Sequence, residues 1–133
     1  MKPHISLDLI KAPDIAQTIV VSCFGLGVSC DLTGLHTLKI KETDRLVALH
    51  TELTKLGADI HITDDSLHLA ARKSPIVKDV AVDTYHDHRM AMAFAPLGLK
   101  APIRINDAEV VSKSYPTFWD DLCHLGFITS TIK

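Results

Sequence analysis

The sequence has few aromatic residues, few cysteines and almost no excess of charge of either sign. Only 5% of its 133 residues are aromatic, and its formal net charge is −2. A charge so near zero gives no overall attraction to nucleic acid or to an anionic membrane. The longest apolar stretch, residues 19–28, is interrupted by Ser22 and two glycines and is too short to span a bilayer. We therefore expect neither nucleic acid nor a membrane as a partner.

Cysteine content and the amino-terminal residues argue for a reducing compartment. Cys23, Cys30 and Cys123 are odd in number and show no C-x-x-C spacing, so we expect reduced structural thiols without a zinc or redox role. The first four residues, Met-Lys-Pro-His, lack the apolar segment of a secretory signal. A cytoplasmic location is the expectation that follows.

Length and composition, with 47% hydrophobic and 23% charged residues, are typical of one α/β domain. Periodicity and turn residues predict strands at 5–10, 28–32, 58–63, 67–70, 80–83, 103–107 and 127–129. They predict helices at 14–26, 42–56, 87–99 and 116–125. The order strand-helix-strand-helix-strand thus occurs about twice, which predicts two repeated units, at about 1–74 and 75–133, within a single domain of residues 1–133.

Charged residues gather where each of the four predicted helices begins. The clusters are Asp14, Lys41-Glu42-Thr43-Asp44-Arg45, Asp87-His88-Arg89 and Lys113. A helix N-terminus offers unpaired N–H groups and a partial positive charge, so acids, bases and guanidinium groups gathered there suggest a site that holds an anion and moves protons. Taken alone, Asp14 is an ordinary capping acid and Lys113 an ordinary solvated lysine.

The second predicted helix places an acid where an apolar residue is expected. On a helical wheel Glu42 falls at the centre of the stripe formed by Leu46, Leu49, Leu53 and Leu56, whereas Asp44 lies on the opposite face. Glu42 is then either a first-turn group that interacts favourably with the helix dipole or a carboxylate held in a partly dry cleft. The simpler alternative is a solvated first turn with a Glu42–Arg45 pair.

The third predicted helix is apolar from Met90 onward but begins with charges. Asp87 is best interpreted as its N-cap. His88 and Arg89 gain nothing from the positive end of a helix, and an added anion would remove that penalty. The adjacent His86, Asp87 and His88 also suggest a metal site, but the side chains splay apart at a helix start and no third ligand has suitable spacing. We expect no metal.

Four motifs, taken together, carry a resemblance to a known family. They are Pro13-Asp14-Ile15-Ala16-Gln17-Thr18, Lys39-Ile40-Lys41-Glu42-Thr43-Asp44-Arg45-Leu46, Asp87-His88-Arg89-Met90-Ala91-Met92-Ala93-Phe94 and Lys113-Ser114-Tyr115-Pro116. In order and spacing they resemble the C-terminal part of the EPSP synthase (3-phosphoshikimate 1-carboxyvinyltransferase) family. The resemblance implies an inverse α/β barrel lobe of three repeated units, of which this chain would be the last two.

The resemblance also implies a reaction. Enzymes of this family transfer the enolpyruvyl group of phosphoenolpyruvate to the 5-hydroxyl of shikimate 3-phosphate, through addition and elimination, on the way to chorismate and the aromatic amino acids. No metal or organic cofactor is implied. The partners would be these two small molecules and the missing N-terminal portion of the same enzyme, without which we expect the chain to be inactive.

Three residues match the family's proton-transfer groups. Asp14 matches an aspartate that contacts the shikimate ring hydroxyls and takes the 5-hydroxyl proton. Glu42 matches a glutamate implicated in proton transfer at the phosphoenolpyruvate methylene carbon. Lys113 matches a lysine that binds phosphoenolpyruvate and is a further candidate for proton transfer. The catalytic candidates are therefore Asp14, Glu42 and Lys113.

Four further residues match substrate-binding positions. Lys41 matches a lysine that contacts shikimate 3-phosphate. Arg45 and Arg89 match, with Lys113, the cations that bind the carboxylate and phosphate of phosphoenolpyruvate, and His88 matches a histidine close to that phosphate. The planar fork of arginine makes replacement of Arg45 or Arg89 by lysine a non-conservative change.

The chain departs from the family pattern at several positions. Thr37 stands where many members have Asn, His86 replaces a small polar residue, and Pro96 is expected to kink or shorten the third helix. The opposite lobe and its shikimate-phosphate contacts are missing. Two alternatives stay open: the sister enzyme that transfers enolpyruvate to UDP-N-acetylglucosamine, and a non-catalytic anion-binding module on the same repeat fold.

Overall fold

A computed structural model of the chain describes residues 4–40, 44–111 and 115–124. Its elements, in chain order, are β1 (His4–Asp8), α1 (Ala16–Leu26), β2 (Ser29–Thr33), α2 (Arg45–Lys55), β3 (Ile60–Ile62), β4 (Leu67–Leu69), β5 (Val80–Val82), α3 (His88–Phe94), β6 (Ile103–Ile105) and α4 (Phe118–His124). Short 3-10 turns lie at Pro13–Ile15, His36–Ile40, Ala95–Leu99 and Ala108–Val111. Helices and strands therefore alternate as predicted, while the strand predicted at 127–129 lies outside the described residues.

The strands form two sheets in the described part of the chain. The larger has the order β1-β2-β4-β3, with β1 parallel to β2 and with β4 antiparallel to both β2 and β3. The smaller pairs β5 with β6 in parallel. Parallel neighbours need a crossover connection, and α1 and α3 supply one in each case. The predicted hairpin around residues 64–66 is the β3–β4 pair.

The core lies between the large sheet and the helices. Along β2, Cys30 and Leu32 are buried and pair with Leu69 and Leu67 of β4. The leucines predicted as the apolar stripe of α2, namely Leu46, Leu49, Leu53 and Leu56, are at most 1% exposed. Strand β1, at one edge of this sheet, is different, since all five of its residues are exposed. None of the helices in the described ranges is long and apolar enough to cross a membrane.

The opposite face of the large sheet is polar and carries a cluster centred on Asp31. Its Oδ2 atom lies 2.9 Å from His4 Nε2 of β1, and its Oδ1 atom lies 2.7 Å from His68 Nδ1 of β4. The hydrogen bond from His68 lowers the pKa of the Asp31 carboxyl below its ordinary value, and His4 adds to the effect. The cluster thus joins three neighbouring strands and fastens β1 to the sheet.

Helix α1 ends where it was predicted to end but begins later. It begins at Ala16, after a 3-10 turn that contains Asp14, and Asp14 caps neither segment with its side chain. Gly27, with φ of 74°, ends the helix in the left-handed conformation that glycine favours. Gly25 lies inside the helix. A Cβ atom at Gly25 would come within 3.0 Å of Leu97 Cδ2, so this glycine serves packing.

Helix α2 begins at Arg45, three residues later than predicted, and Glu42 itself lies outside the described residues. The N-cap is Asp44, whose backbone is extended (φ −72°, ψ 95°) and whose Oδ1 accepts a hydrogen bond from Val47 N at 3.2 Å. The helical period of α2 therefore applies from Arg45 onward. Asp44, placed by the wheel on the solvated face, is instead the cap.

Helix α3 confirms two expectations. Asp87 is its N-cap, since its side chain accepts a hydrogen bond from Arg89 N at 2.9 Å. The α-helix ends at Phe94, and Pro96 lies in the following 3-10 turn, because proline removes an N–H donor and clashes with the preceding helical turn. The fourth helix begins at Phe118, two residues beyond the predicted Pro116.

Candidate active site at three helix N-termini

The beginnings of α1, α2 and α3 bring two aspartates and two arginines together. Asp14 comes from the 3-10 turn before α1, and Arg45 is the first residue of α2. Asp87 and Arg89 come from the cap and first turn of α3. Residues up to 75 positions apart in the sequence thereby share one site, at the ends of the helices where backbone N–H groups point outward.

Arg45 is the buried centre of this site. Its side chain is 2% exposed. Its Nε atom donates to Asp87 Oδ2 at 2.7 Å and its Nη2 atom to Asp87 Oδ1 at 3.3 Å, so one edge of the guanidinium faces one carboxylate. The Nη1 atom donates to Asp14 Oδ1 at 3.1 Å. A buried charge is tolerated only when it is paired and hydrogen-bonded, and Arg45 meets both conditions.

Asp14 lies between the two arginines at the edge of the site. Its second oxygen, Oδ2, is 4.0 Å from Arg89 Nη2, and the side chains of Asp14 and Arg89 are 40% and 41% exposed. Asp14 is therefore a carboxylate that solvent or a ligand can reach, held by one buried and one exposed guanidinium. Such a group can accept a proton, and the neighbouring Arg89 can bind an anion.

The candidates from the sequence divide into those that the structure describes and those that it does not. Asp14, Arg45 and Arg89 are brought together as described above. His88 is partly buried at the start of α3 and makes no hydrogen bond or ion pair with any residue in the described ranges. The remaining three, Lys41, Glu42 and Lys113, lie outside the described residues.

The pairing of Asp87 with Arg45 could not be found in the sequence. Asp87 was predicted only as a helix cap, and 42 residues separate the two partners. Gln17, in the first turn of α1, is 1% exposed and adds a longer contact, from its Nε2 to Asp87 Oδ2 at 3.5 Å. Its Oε1 is buried and has no hydrogen-bond partner among the described residues. A single carboxylate is thus the meeting point of α1, α2 and α3.

A second buried acid, Glu52, also escaped the sequence analysis. It is fully buried, and its Oε1 accepts hydrogen bonds from Lys55 Nζ at 2.7 Å and from Asp83 N at 2.9 Å. Its Oε2 accepts a hydrogen bond from the Tyr85 hydroxyl at 2.5 Å. Burial, together with the negative charge of Glu52, raises the pKa of Tyr85 above its ordinary value. The Glu52 contacts therefore hold the segment before α3 against α2.

One signal in the sequence was available for both buried charges of α2. Arg45 and Glu52 are seven residues apart, so they lie at nearly the same angle on the helix. The buried Ala48 and Leu49 lie between them on that side. Two charged residues at this spacing beside an apolar stripe indicate side chains that are buried in ion pairs as readily as side chains that face solvent.

The backbone leading into α3 is left-handed at two successive residues. Tyr85 has φ of 55° and His86 has φ of 56°. Few residues with a side chain adopt this conformation, and Asn and Asp do so more readily than most. His86 therefore stands at a position whose backbone disfavours a side chain. This turn places the Asp87 carboxylate next to Arg45, the first residue of α2.

Within residues 4–40, 44–111 and 115–124, no three His, Cys, Asp or Glu side chains are arranged to hold a metal ion.

Away from the site, Cys23 and Cys30 are buried free thiols. Burial raises the pKa of Cys30 to about 12, and the neighbouring Cys23 contributes. The side chain of Cys123 is not among those described.

Comparison with known proteins gives one consistent family. The sequence profile described as EPSP synthase (3-phosphoshikimate 1-carboxyvinyltransferase) matches residues 1–122. A 3-phosphoshikimate 1-carboxyvinyltransferase from Bacteroides fragilis is 49% identical over 127 residues, which cover 90% of this chain and 30% of that protein. The protein of the same name from Nitrosomonas eutropha is 38% identical over 116 residues, covering 87% of this chain and 27% of the relative.

A solved structure agrees with these relatives. The EPSP synthase of Acinetobacter baumannii superposes with a TM-score of 0.78 at 30% sequence identity, and the match covers 87% of this chain and 28% of that one. The chain thus spans about 30% of the length of the curated relatives that it matches. The fold predicted from the four motifs, part of an EPSP synthase-like lobe, is confirmed.

Proposed function

Because the chain belongs to the EPSP synthase family, we propose that it forms one wall of the active site of a complete enolpyruvyl transferase. The complete enzyme transfers the enolpyruvyl group of phosphoenolpyruvate to the 5-hydroxyl of shikimate 3-phosphate and releases phosphate. The chain alone is inactive, because it spans about 30% of the length of the relatives named above. Its macromolecular partner is the remaining portion of the same enzyme, and its location is the cytoplasm.

One observation carries the proposal: Asp14 stands between Arg45 and Arg89, at 3.1 and 4.0 Å. Two guanidinium groups around one reachable carboxylate provide both a binding site for an anionic substrate and a group that can accept a hydroxyl proton. The two arginines and the two aspartates, Asp14 and Asp87, balance in charge, +2 against −2. An incoming anion is attracted most where Arg89 and the helix ends are exposed.

The roles of individual residues follow from this arrangement and from the family motifs. Asp14 accepts the proton of the 5-hydroxyl. Arg89, whose side chain is 41% exposed, offers the accessible guanidinium to the phosphoenolpyruvate anion, with His88 beside the phosphate; Arg45, 2% exposed, keeps the substrate role that the motifs imply from its place behind Asp14. The three residues outside the described ranges keep the roles implied by the motifs: Lys41 binds shikimate 3-phosphate, Glu42 moves a proton at the methylene carbon, and Lys113 binds phosphoenolpyruvate and also transfers protons.

Exposed apolar residues support a partner portion that covers this chain. Ile5 and Leu7 of β1 are 37% and 41% exposed, and Leu26 at the end of α1 is 69% exposed. A groove of about 220 Å³ lies between α1 and the segment after α3, and its lining includes Val21 and Leu97. Apolar surface of this kind is typical of faces that are covered in a larger assembly.

A complementation assay tests the proposal. The chain is mixed with a separately produced portion that supplies the rest of a relative such as the Bacteroides fragilis enzyme. Phosphate release is then measured with phosphoenolpyruvate and shikimate 3-phosphate. We expect release from the mixture and none from either portion alone. No release from a mixture that forms a stable complex contradicts the proposal and favours a non-catalytic anion-binding module.

Variants assign the roles in the same assay. Asp14→Asn is expected to lower kcat more than it raises KM, because it removes a proton acceptor and keeps the side-chain shape. Arg89→Ala is expected chiefly to raise KM for phosphoenolpyruvate. The matched controls are Asp120→Asn and Arg104→Ala, exposed residues of α4 and β6, which should leave both constants unchanged. Tight binding of phosphoenolpyruvate by the isolated chain would contradict an incomplete site.

A further inference from the structure

We infer that Asp87 is a positioning residue, which fixes the guanidinium of Arg45 relative to Arg89. Capping α3 is only part of its function. The inference rests on the proposed function for its kinetic consequence, while its geometry stands on the contacts described here. Asp87 is fully buried, so it acts on a substrate only through the groups that it holds.

The first argument is the number and origin of the donors that converge on this carboxylate. Oδ2 lies 2.7 Å from Arg45 Nε and 3.5 Å from Gln17 Nε2. Oδ1 lies 3.3 Å from Arg45 Nη2 and 2.9 Å from the backbone N of Arg89. An N-cap needs only the last of these contacts. The others orient a side chain of α2 and one of α1.

The second argument is that a single oxygen serves both arginines. Asp87 Oδ1 accepts one hydrogen bond from the Arg45 side chain and another from the Arg89 backbone. The Arg45 guanidinium is therefore tied through this atom to the backbone of Arg89, at the start of α3. The paired Nε and Nη2 edge of Arg45 faces Asp87, and this turns the Nη1 atom toward Asp14. A two-point contact fixes the plane of the guanidinium, which a single contact does not.

The substitution Asp87→Asn separates the two functions of this residue. Asparagine caps a helix as well as aspartate does, so the contact with Arg89 N can persist. Its amide NH₂ group, however, is a donor and cannot accept from Arg45 Nε. The matched control is Asp44→Asn, which makes the same change at the N-cap of α2. Asp44 forms no ion pair with the residues that the structure describes.

The test is NMR observation of the Arg45 Nε–H group in the 133-residue chain, assigned by its loss in Arg45→Lys. In the unmodified chain we expect a dispersed resonance that exchanges slowly with water. Asp87→Asn should speed this exchange by at least about tenfold, as expected for loss of a hydrogen bond to a charged group. Asp44→Asn should leave it unchanged. An Arg45 Nε–H that exchanges at the solvent rate in the unmodified chain would overturn the inference, whether or not any variant folds.

The kinetic arm uses the complementation assay. With Asp87→Asn we expect KM for phosphoenolpyruvate to rise by about tenfold or more, and circular dichroism to show retained helix. Equal KM values for Asp87→Asn and Asp44→Asn would reduce Asp87 to a cap and refute the positioning role. A mixture without activity contradicts the proposed function instead, and the NMR result still decides the role of Asp87.

Discussion

Removal of the Tyr85 hydroxyl is expected to destabilise the fold measurably, because its partner is a buried carboxylate. In Tyr85→Phe the ring is kept, but Glu52 Oε2 loses the donor at 2.5 Å that is its only hydrogen-bond partner in the described part of the chain. Glu52 is fully buried, so water cannot replace that donor. A hydrogen bond to a charged group contributes about 1.5–3 kcal/mol. We therefore expect a loss of roughly 2 kcal/mol, out of a typical total of about 5–15 kcal/mol.

Equilibrium urea unfolding measures this loss. For a domain of this size an m-value near 2 kcal/mol per molar is ordinary, so the midpoint should fall by about 1 M while m stays the same. The pH dependence supplies a second check. Because the pKa of Tyr85 is raised in the fold, its stabilisation is complete below the ordinary tyrosine value of about 10. The difference between the two proteins should therefore shrink as the pH rises above that value.

The chain contains a matched control. Tyr115 donates its hydroxyl to Asp121 Oδ2, also at 2.5 Å, but Tyr115 is 40% exposed. In Tyr115→Phe water can take over the lost contact, so the urea midpoint should not move detectably. If Tyr85→Phe shifted the midpoint no more than Tyr115→Phe does, burial of Glu52 would not be the cause, and the reasoning would be refuted.

Three further predictions concern the rest of the fold. Asp31→Asn should destabilise the chain at neutral pH. The difference from the unmodified chain should vanish as the pH falls through the pKa that His68 has lowered, and a difference in urea unfolding that does not diminish with falling pH would contradict this. His86→Gly should raise the free energy of unfolding by roughly 0.5–1 kcal/mol, because glycine adopts the left-handed φ at this exposed position without steric strain. A lower thermal midpoint in this variant would count against that explanation. Cys30, buried and with its pKa raised to about 12, should resist iodoacetamide in the native chain, as read by peptide mapping, and should react on unfolding.

Local patterns predicted the elements well where one residue sets the boundary. Asp87 as a cap and Pro96 as a helix stop act through their own backbone neighbours, so the sequence alone carries the information. Periodicity and turn residues likewise predicted β2 and β4, and each of these strands has one buried face. The start of α2 shows the limit. The helix was predicted from residue 42 but begins after Asp44, and Asp44 is polar whether it caps the helix or lies inside it.

The contacts that make the site were beyond local reasoning. Arg45 and Asp87 meet because the first residues of α2 and α3 lie next to each other, and α1, which packs against both helices, helps to hold them there. Glu52 was unremarkable in the sequence, yet it is a fully buried acid that joins two halves of the fold. The family motifs indicated the participants Asp14, Arg45 and Arg89 but gave no account of how one is held by another.

Strand β1 has a practical consequence for any sample of this chain. As an outermost strand it presents a row of backbone N–H and C=O groups with no neighbour on one side in the described part of the sheet, and Ile5 and Leu7 add apolar side chains. Such an edge is a template for pairing with another strand. At high concentration the isolated chain should self-associate edge to edge through β1, and a lysine in place of Leu7 should suppress this association in light scattering.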